Sequence, residues 1–309
     1  MSLEKDIRGL VYSIQRYCIH DGPGIRTTVF FKGCQLVCPW CANPESQLPE
    51  TEIACSESKC TGCGYCINVC PNVAITLDEK AQLDREKCDL CGKCVRACIR
   101  EAWQIYGKYY SVDDIIAEIE KDMPFYRKSG GGVTFSGGEP TLQPDFLFVA
   151  LKKCKEKDIH SAIESHGAAP FSYYIEIAPY TDLFLIDVKH MDSDKHKEYV
   201  GVGNEKILEN IRMLAAEHDK KVMLRVPLIP GFNDDLENIE KTGKFAKEIA
   251  KSGNLTTVNI LPYHAMGKGK YKMLSKEYAM QETKPPTQQA IDEIIGIFKE
   301  LGLPVEQGG

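Results

Sequence analysis

Three cysteines, Cys34, Cys38 and Cys41, are spaced CxxxCxxC, and that spacing restricts the chain more than any other feature. A four-iron cube takes one cysteine per iron, so a tight loop of three thiolates cannot complete it. One iron keeps an open position where a small molecule can chelate and react. An open iron points to chemistry, a closed cluster to electron transfer. For these three residues alone, a zinc ion with a distant fourth ligand remains an alternative.

A second block follows at once. Cys60, Cys63, Cys66 and Cys70 are spaced CxxCxxCxxxC and followed by Pro71, and Cys88, Cys91, Cys94 and Cys98 repeat the spacing without the proline. This is the sequence form of a bacterial two-cluster ferredoxin, in which the fourth cysteine of each run ligates the other run's cluster. The expected sets are Cys60, Cys63, Cys66 with Cys98, and Cys88, Cys91, Cys94 with Cys70. Zinc ribbons use two cysteine pairs per ion, a different pattern. Gly62, Gly64 and Gly92 suit backbone wrapped closely around a cluster. Residues 55–107 are thus expected to form a small ferredoxin-like insert with two 4Fe-4S clusters, and residues 1–54 with 108–309 the main domain.

Fourteen cysteines mark a disulfide scaffold only in a short secreted chain. Here the three patterns absorb all but Cys18, Cys55 and Cys154, which read as ordinary thiols; Cys55 lies near enough to Cys60 to be a spare ligand. Residues 1–8 are polar, with no apolar core of a leader peptide, and no stretch approaches the roughly 18 apolar residues of a membrane span. The formal charge is −6 with basic residues scattered throughout, which argues against a nucleic-acid footprint. The expectation is a cytoplasmic protein in a reducing, anaerobic setting, with small molecules and other proteins as partners.

On either side of the insert, strands alternate with helices. Residues 26–31 form a β-branched and aromatic run before the first cysteine loop. After the insert, Ser111 with Asp114 predicts a capping box for a helix whose apolar face is Val112, Ile115, Ile116 and Ile119. Strands are expected over 133–136, 161–164, 183–188, 222–226 and 257–261, with amphipathic helices such as 205–217 and 236–250 between them. Such alternation implies α/β architecture with parallel pairing, either a β/α barrel or an open doubly wound sheet.

Ligands in these folds sit at the C-terminal ends of the strands. Five ends hold unusual residues: the Cys34 loop; Ser136-Gly137-Gly138-Glu139-Pro140; Glu164-Ser165-His166-Gly167; Asp187-Val188-Lys189; and Leu261-Pro262-Tyr263-His264. Paired glycines let backbone approach a ligand, and Glu139 is suited to accept hydrogen bonds from a cationic amine. Each motif alone has a bland reading, as a turn or a solvated strand end. Their joint placement beside an incomplete cluster site does not.

These residues, together with Trp40, His20-Asp21-Gly22-Pro23-Gly24-Ile25-Arg26 and the stretch from Arg225 to Gly231, give the chain a resemblance to the radical S-adenosylmethionine enzymes, and within them to the activating enzymes of glycyl radical enzymes. The resemblance implies a partial (β/α)6 TIM-like barrel. It implies S-adenosylmethionine bound at the unique iron of the Cys34, Cys38, Cys41 cluster and cleaved to a 5'-deoxyadenosyl radical. That radical takes a Cα hydrogen from a glycine of a partner enzyme. By the same resemblance Gly137, Gly138 and Glu139 meet the methionyl amine, Lys189, His264 and Arg225 contact polar atoms of the cosubstrate, and Trp40 lies near the adenine. Asp187 with Glu164 and Ser165 resembles a monovalent-cation site. Asp21 and Arg26 resemble residues that receive the partner's glycine loop. A two-cluster insert is similar to that of activases serving dehydratases, decarboxylases and lyases, and implies a relay from a low-potential donor, a flavodoxin or ferredoxin. The rival expectations are a radical enzyme acting on a small molecule and a polyferredoxin electron carrier.

Overall fold

Runs of β-branched and aromatic residues bounded by Gly, Pro and Ser set the strands, and the computed structural model, which describes residues 7–217 and 220–308, gathers most of them into one sheet. In chain order the strands are β1 (Arg8–Cys18), β2 (Arg26–Phe31), β3 (Glu52–Cys55), β4 (Ile75–Leu77), β5 (Ala81–Leu83), β6 (Trp103–Tyr106), β7 (Lys108–Ser111), β8 (Gly132–Gly137), β9 (Ser161–Ser165), β10 (Leu183–Asp187), β11 (Lys221–Leu228), β12 (Leu255–Pro262) and β13 (Val305–Gln307). The main sheet has the order β13-β12-β11-β10-β9-β8-β2-β1-β7. Pairing is parallel from β2 through β13 and antiparallel only where β1 meets β2 and β7. The architecture is mixed α/β with a parallel-strand sheet.

Helices return the chain between parallel strands. In Val112–Glu120 the Asp114 N–H donates to Ser111 Oγ at 3.1 Å and the Ser111 N–H to Asp114 Oδ2 at 3.0 Å, so the capping box forms. Its buried residues are Val112, Ile115, Ile116 and Ile119, the face expected from the sequence. These join Val29, Phe31, Phe135, Ile163, Phe184 and Leu224 in one core between helices and sheet. Strands β1, β7 and β13, of which β7 and β13 are the sheet's edges, lie outside the expected set; β1 buries Leu10 and Val11 in succession and then turns outward without a period of two.

Residues between β3 and β6 leave the sheet. β3 pairs antiparallel with β6, Glu52 opposite Tyr106 and Cys55 opposite Trp103, while β4 and β5 form a separate hairpin. Two short helices, Tyr65–Val69 and Lys93–Ala97, follow Gly64 and Gly92, whose φ angles of +76° and +67° are left-handed and favour glycine. Ile53, Ile75, Ala81 and Trp103 pack with the cysteines in a small core of their own. Of the N-terminal stretch read above, residues 1–6 lie outside the described residues. Among the described residues no helix is long and apolar enough to cross a membrane.

Candidate functional site

Because the six strands β2 and β8 to β12 run parallel, their C-terminal ends share one edge of the sheet, and a cavity of about 620 Å³ opens there. Cys34, Cys38, Cys41, Trp40, Gly137, Gly138, Ser165, Asp187, Lys189, Arg225, His264 and Asp21 all line it. Such a volume suits a medium-sized ligand. The cysteine loop is held by backbone bonds: Cys34 N–H to the Gln47 carbonyl at 3.0 Å, Val37 N–H to Val200 at 3.2 Å and Gly33 N–H to Ser46 at 2.7 Å. These bonds tie the backbone of the loop to residues 46–47 and to Val200.

Burial pushes the thiols up, Cys34 and Cys38 to about 12 and Cys41 to about 11, so their thiolates require a compensating cation. Burial works against the charge of Lys189 as well, but Asp187 and the thiols of Cys38 and Cys34 outweigh it and hold the ammonium well above its usual pKa. Lys189 is ion-paired with Asp187. Beside them Ser136 Oγ donates to Glu164 Oε2 at 2.6 Å, and Arg225 Nη1 lies 3.0 Å from Glu164 Oε1 without hydrogen-bond alignment. Asp187 Oδ1 and Arg225 Nε are buried without partners, as polar groups awaiting a ligand are. Three thiols together with orphaned polar atoms on one cavity wall fit an open iron–sulfur site with a polar cosubstrate.

The Trp40 ring packs on Phe232 with centroids 4.7 Å apart, and Phe232 on Tyr199 at 4.4 Å. His264 lines the opposite strand end, its Nδ1 accepting from the Met266 N–H at 3.4 Å. Gln15, Tyr17 and Cys18 also line the cavity; the sequence reading missed them because β1 was not expected there.

Two expectations need correction. The Glu139 carboxylate does not reach the cavity. It is fully buried and accepts from Thr141 N–H (3.1 Å) and Oγ1 (2.7 Å), Ser165 Oγ (3.0 Å) and His166 N–H (2.9 Å). Its lone pairs are occupied within the protein, and the glycine backbone before it faces the cavity instead. Arg26 is also fully buried, so it does not receive a partner's loop. Its guanidinium donates to Thr134 Oγ1 at 2.6 Å and to the Pro23 carbonyl at 3.0 Å, as well as to the Val133 carbonyl. Thr134 Oγ1 in turn donates to the Asp21 carbonyl at 2.7 Å. Arg26 thus braces the loop that presents Asp21 from behind. Arg26→Met will lose about 2–4 kcal/mol of stability through orphaned carbonyls, whereas Asp21→Asn, whose carboxylate accepts from Thr28 Oγ1, will change stability by under about 1 kcal/mol; urea unfolding of the iron-free proteins checks both.

In the excursion, a cavity of about 220 Å³ is lined by Cys60, Cys63, Cys66 and Cys98. A smaller one is lined by Cys70, Cys88, Cys91 and Cys94. The fourth cysteine of each run faces the other run's cavity. Ala74 N–H donates to Cys70 Sγ and Ala102 N–H to Cys98 Sγ, both at 3.3 Å. Among the described residues no three His, Cys, Asp or Glu side chains are arranged to hold a single metal ion.

Residues 28–246 match the family model of the radical SAM superfamily. The chain is 46% identical over 302 residues to the trans-4-hydroxy-L-proline dehydratase activating enzyme of Clostridioides difficile, covering 97% of this chain and 99% of that one. It is 41% identical over 289 residues to the isethionate sulfite-lyase activating enzyme of Desulfovibrio desulfuricans, covering 91% of each. It is also 41% identical over 311 residues to the 4-hydroxyphenylacetate decarboxylase activating enzyme of Clostridioides difficile strain CD196, covering 98% of this chain and 97% of that one. The chain belongs to the radical SAM superfamily, among the activating enzymes of glycyl radical enzymes.

Proposed function

We propose that the protein installs a glycyl radical in a partner enzyme, with Cys34, Cys38 and Cys41 holding a 4Fe-4S cluster at the 620 Å³ cavity. When bound, that cluster supplies one electron to the sulfonium of S-adenosylmethionine, giving methionine and a 5'-deoxyadenosyl radical that takes a hydrogen atom from a glycine Cα of the partner. The protein's own residues bind and orient. Gly137 and Gly138 offer backbone to the methionyl amine, Lys189 and Arg225 bring positive charge for a carboxylate, and Trp40, backed by Phe232, offers an apolar face to the adenine. Asp21, on the cavity lining, is the residue proposed to meet the partner's glycine loop. No general base is needed, because the hydrogen is taken by the cosubstrate's radical and the protein's residues serve to bind and orient. The observation that carries this reading is the meeting of the three cysteines with Gly137, Asp187, Lys189 and His264 on one cavity.

The 55–107 module is proposed to be ferredoxin-like, with two further 4Fe-4S clusters relaying electrons from a flavodoxin or ferredoxin; the two four-cysteine cavities support it. The parallel strand order supports a partial barrel of six β/α units. A monovalent cation beside Asp187 has one support, the orphaned Oδ1, against which stand the cationic partners that Asp187 and Glu164 already hold.

The test is anaerobic reconstitution followed by reduction and addition of S-adenosylmethionine, with candidate partners from the dehydratase, decarboxylase and lyase groups. The expected result is about twelve irons per chain, three cubes of four, 5'-deoxyadenosine, and a partner-dependent glycyl doublet by electron paramagnetic resonance. Deoxyadenosine with no glycyl signal from any partner indicates small-molecule chemistry; about eight irons and no cleavage indicate an electron carrier.

A further inference from the structure

Lys32 sits at the end of β2's run, two residues before Cys34, and its side chain is wholly buried. Its Nζ donates to Glu52 Oε2 at 2.8 Å and to the Glu45 carbonyl at 2.8 Å. Glu52, the first residue of β3, is itself buried, and its other oxygen lies 3.4 Å from Lys276 Nζ. The stem of Lys32 is gripped as well, since a Cβ on Gly107 would lie 2.7 Å from Lys32 Cδ. Gly107 is where the module returns to the main sheet, and Thr51 Oγ1 donates across to the Gly107 carbonyl at 3.1 Å. One lysine therefore touches the module's entry, its exit and the strand that leads into the cysteine loop.

A buried ion pair is an expensive way to gain stability, and apolar residues of similar size often serve equally well. What it supplies is direction, since an ammonium between a carboxylate and a carbonyl tolerates little displacement. We propose that the Lys32–Glu52 pair is a positioning device that fixes the 55–107 module against the three-cysteine loop and so sets the rate at which an electron passes from module to site. The inference rests on reading the module as a relay. The step is the transfer of one electron from an external low-potential protein donor, through the module, to the cavity; no proton moves.

The experiment uses the reconstituted full chain. Lys32→Met removes the ammonium, and the double variant Lys32→Met with Glu52→Met removes both members of the buried pair, Lys276 keeping its bond to the Pro44 carbonyl, and guards against a folding failure. Deoxyadenosine formation is measured with a reduced flavodoxin and with a photoreduced small deazaflavin, which enters the open cavity directly. Hydrogen exchange is followed at the amides of β3 and β6. Both variants are expected to slow flavodoxin-driven cleavage about tenfold, the upper range for residues that modulate coupling between sites. Deazaflavin-driven cleavage should stay within about twofold, exchange in β3 and β6 should rise, and the double variant should regain stability without regaining the flavodoxin rate. Recovery of that rate together with stability would reduce the pair to a structural role and overturn the proposal, as would unchanged exchange and rates in both variants. Cys63→Ala separates the premise: if it leaves flavodoxin-driven cleavage intact, the relay reading fails, and the proposed control of electron delivery fails with it whatever the exchange data show.

Discussion

Cys38→Ala, reconstituted without oxygen, will bind about eight irons instead of about twelve and form no detectable 5'-deoxyadenosine, while unfolding in urea within about 1 kcal/mol of the parent when both are iron-free. The two halves of this result have separate causes. The thiol is held high, to about 12, by burial, with Lys189 opposing; without it two thiols remain beside that ammonium, too few for the cube. The fold is indifferent because the loop hangs on backbone bonds from Cys34 to Gln47 and from Val37 to Val200. Iron analysis, deoxyadenosine assay and urea unfolding on one preparation decide it. Full iron content in the variant would mean that another residue serves as the third ligand.

Gly138→Ala is expected to be nearly as damaging without touching a cysteine. An added Cβ would lie 2.1 Å from the Gly33 carbonyl oxygen, 2.7 Å from its carbon and 2.9 Å from the Ser46 carbonyl oxygen, all backbone atoms. No rotamer relieves such contacts, so the end of β2 must move away from β8 and the bond from Glu139 N–H to the Gly33 carbonyl, 2.8 Å long, must stretch. Gly33 precedes Cys34 directly, so that shift passes into the cluster loop. A displacement near 1 Å at a reacting centre is worth about a hundredfold, and deoxyadenosine formation should fall by about that much, with about 2–4 kcal/mol of stability lost. Gly269→Ala, where an added Cβ meets nothing within 4 Å, is the control: it lies in the helix Lys268–Met273, so it should leave deoxyadenosine formation unchanged and raise stability by at most about 1 kcal/mol.

Much of this arrangement was legible in the residues. The parallel strands are runs of apolar and β-branched side chains, and the helix from Val112 shows its buried face by periodicity alone. The crossed assignment of Cys70 and Cys98 is an expectation from spacing; Cys98 lines the cavity with Cys60, Cys63 and Cys66, and Cys70 the one with Cys88, Cys91 and Cys94. Arg26 and Glu139 were misread for a common reason. A charged residue inside a glycine-rich motif reads as exposed and functional, yet its environment is decided by residues far along the chain: Val133 and Thr134 for Arg26, Ser165 and His166 for Glu139. No local pattern encodes those meetings. The same holds for Lys32 and Glu52, whose contact depends on the neck closing. The antiparallel edge escaped notice because β1 bends and bulges, with its register against β2 shifting twice.

The neck also bears on how the chain reaches this shape. Strands β2 and β8 must pair although about 100 residues separate Phe31 from Gly132. Glu52 and Tyr106 face each other across the β3–β6 ladder, and once that short ladder zips, the segment between them no longer counts in the search. The effective loop is roughly halved, which lowers the entropic cost of closing it by about 0.6 kcal/mol. Early assembly of the module thereby shortens the longest-range step in building the sheet, and refolding from denaturant becomes sensitive to residues that lie outside it.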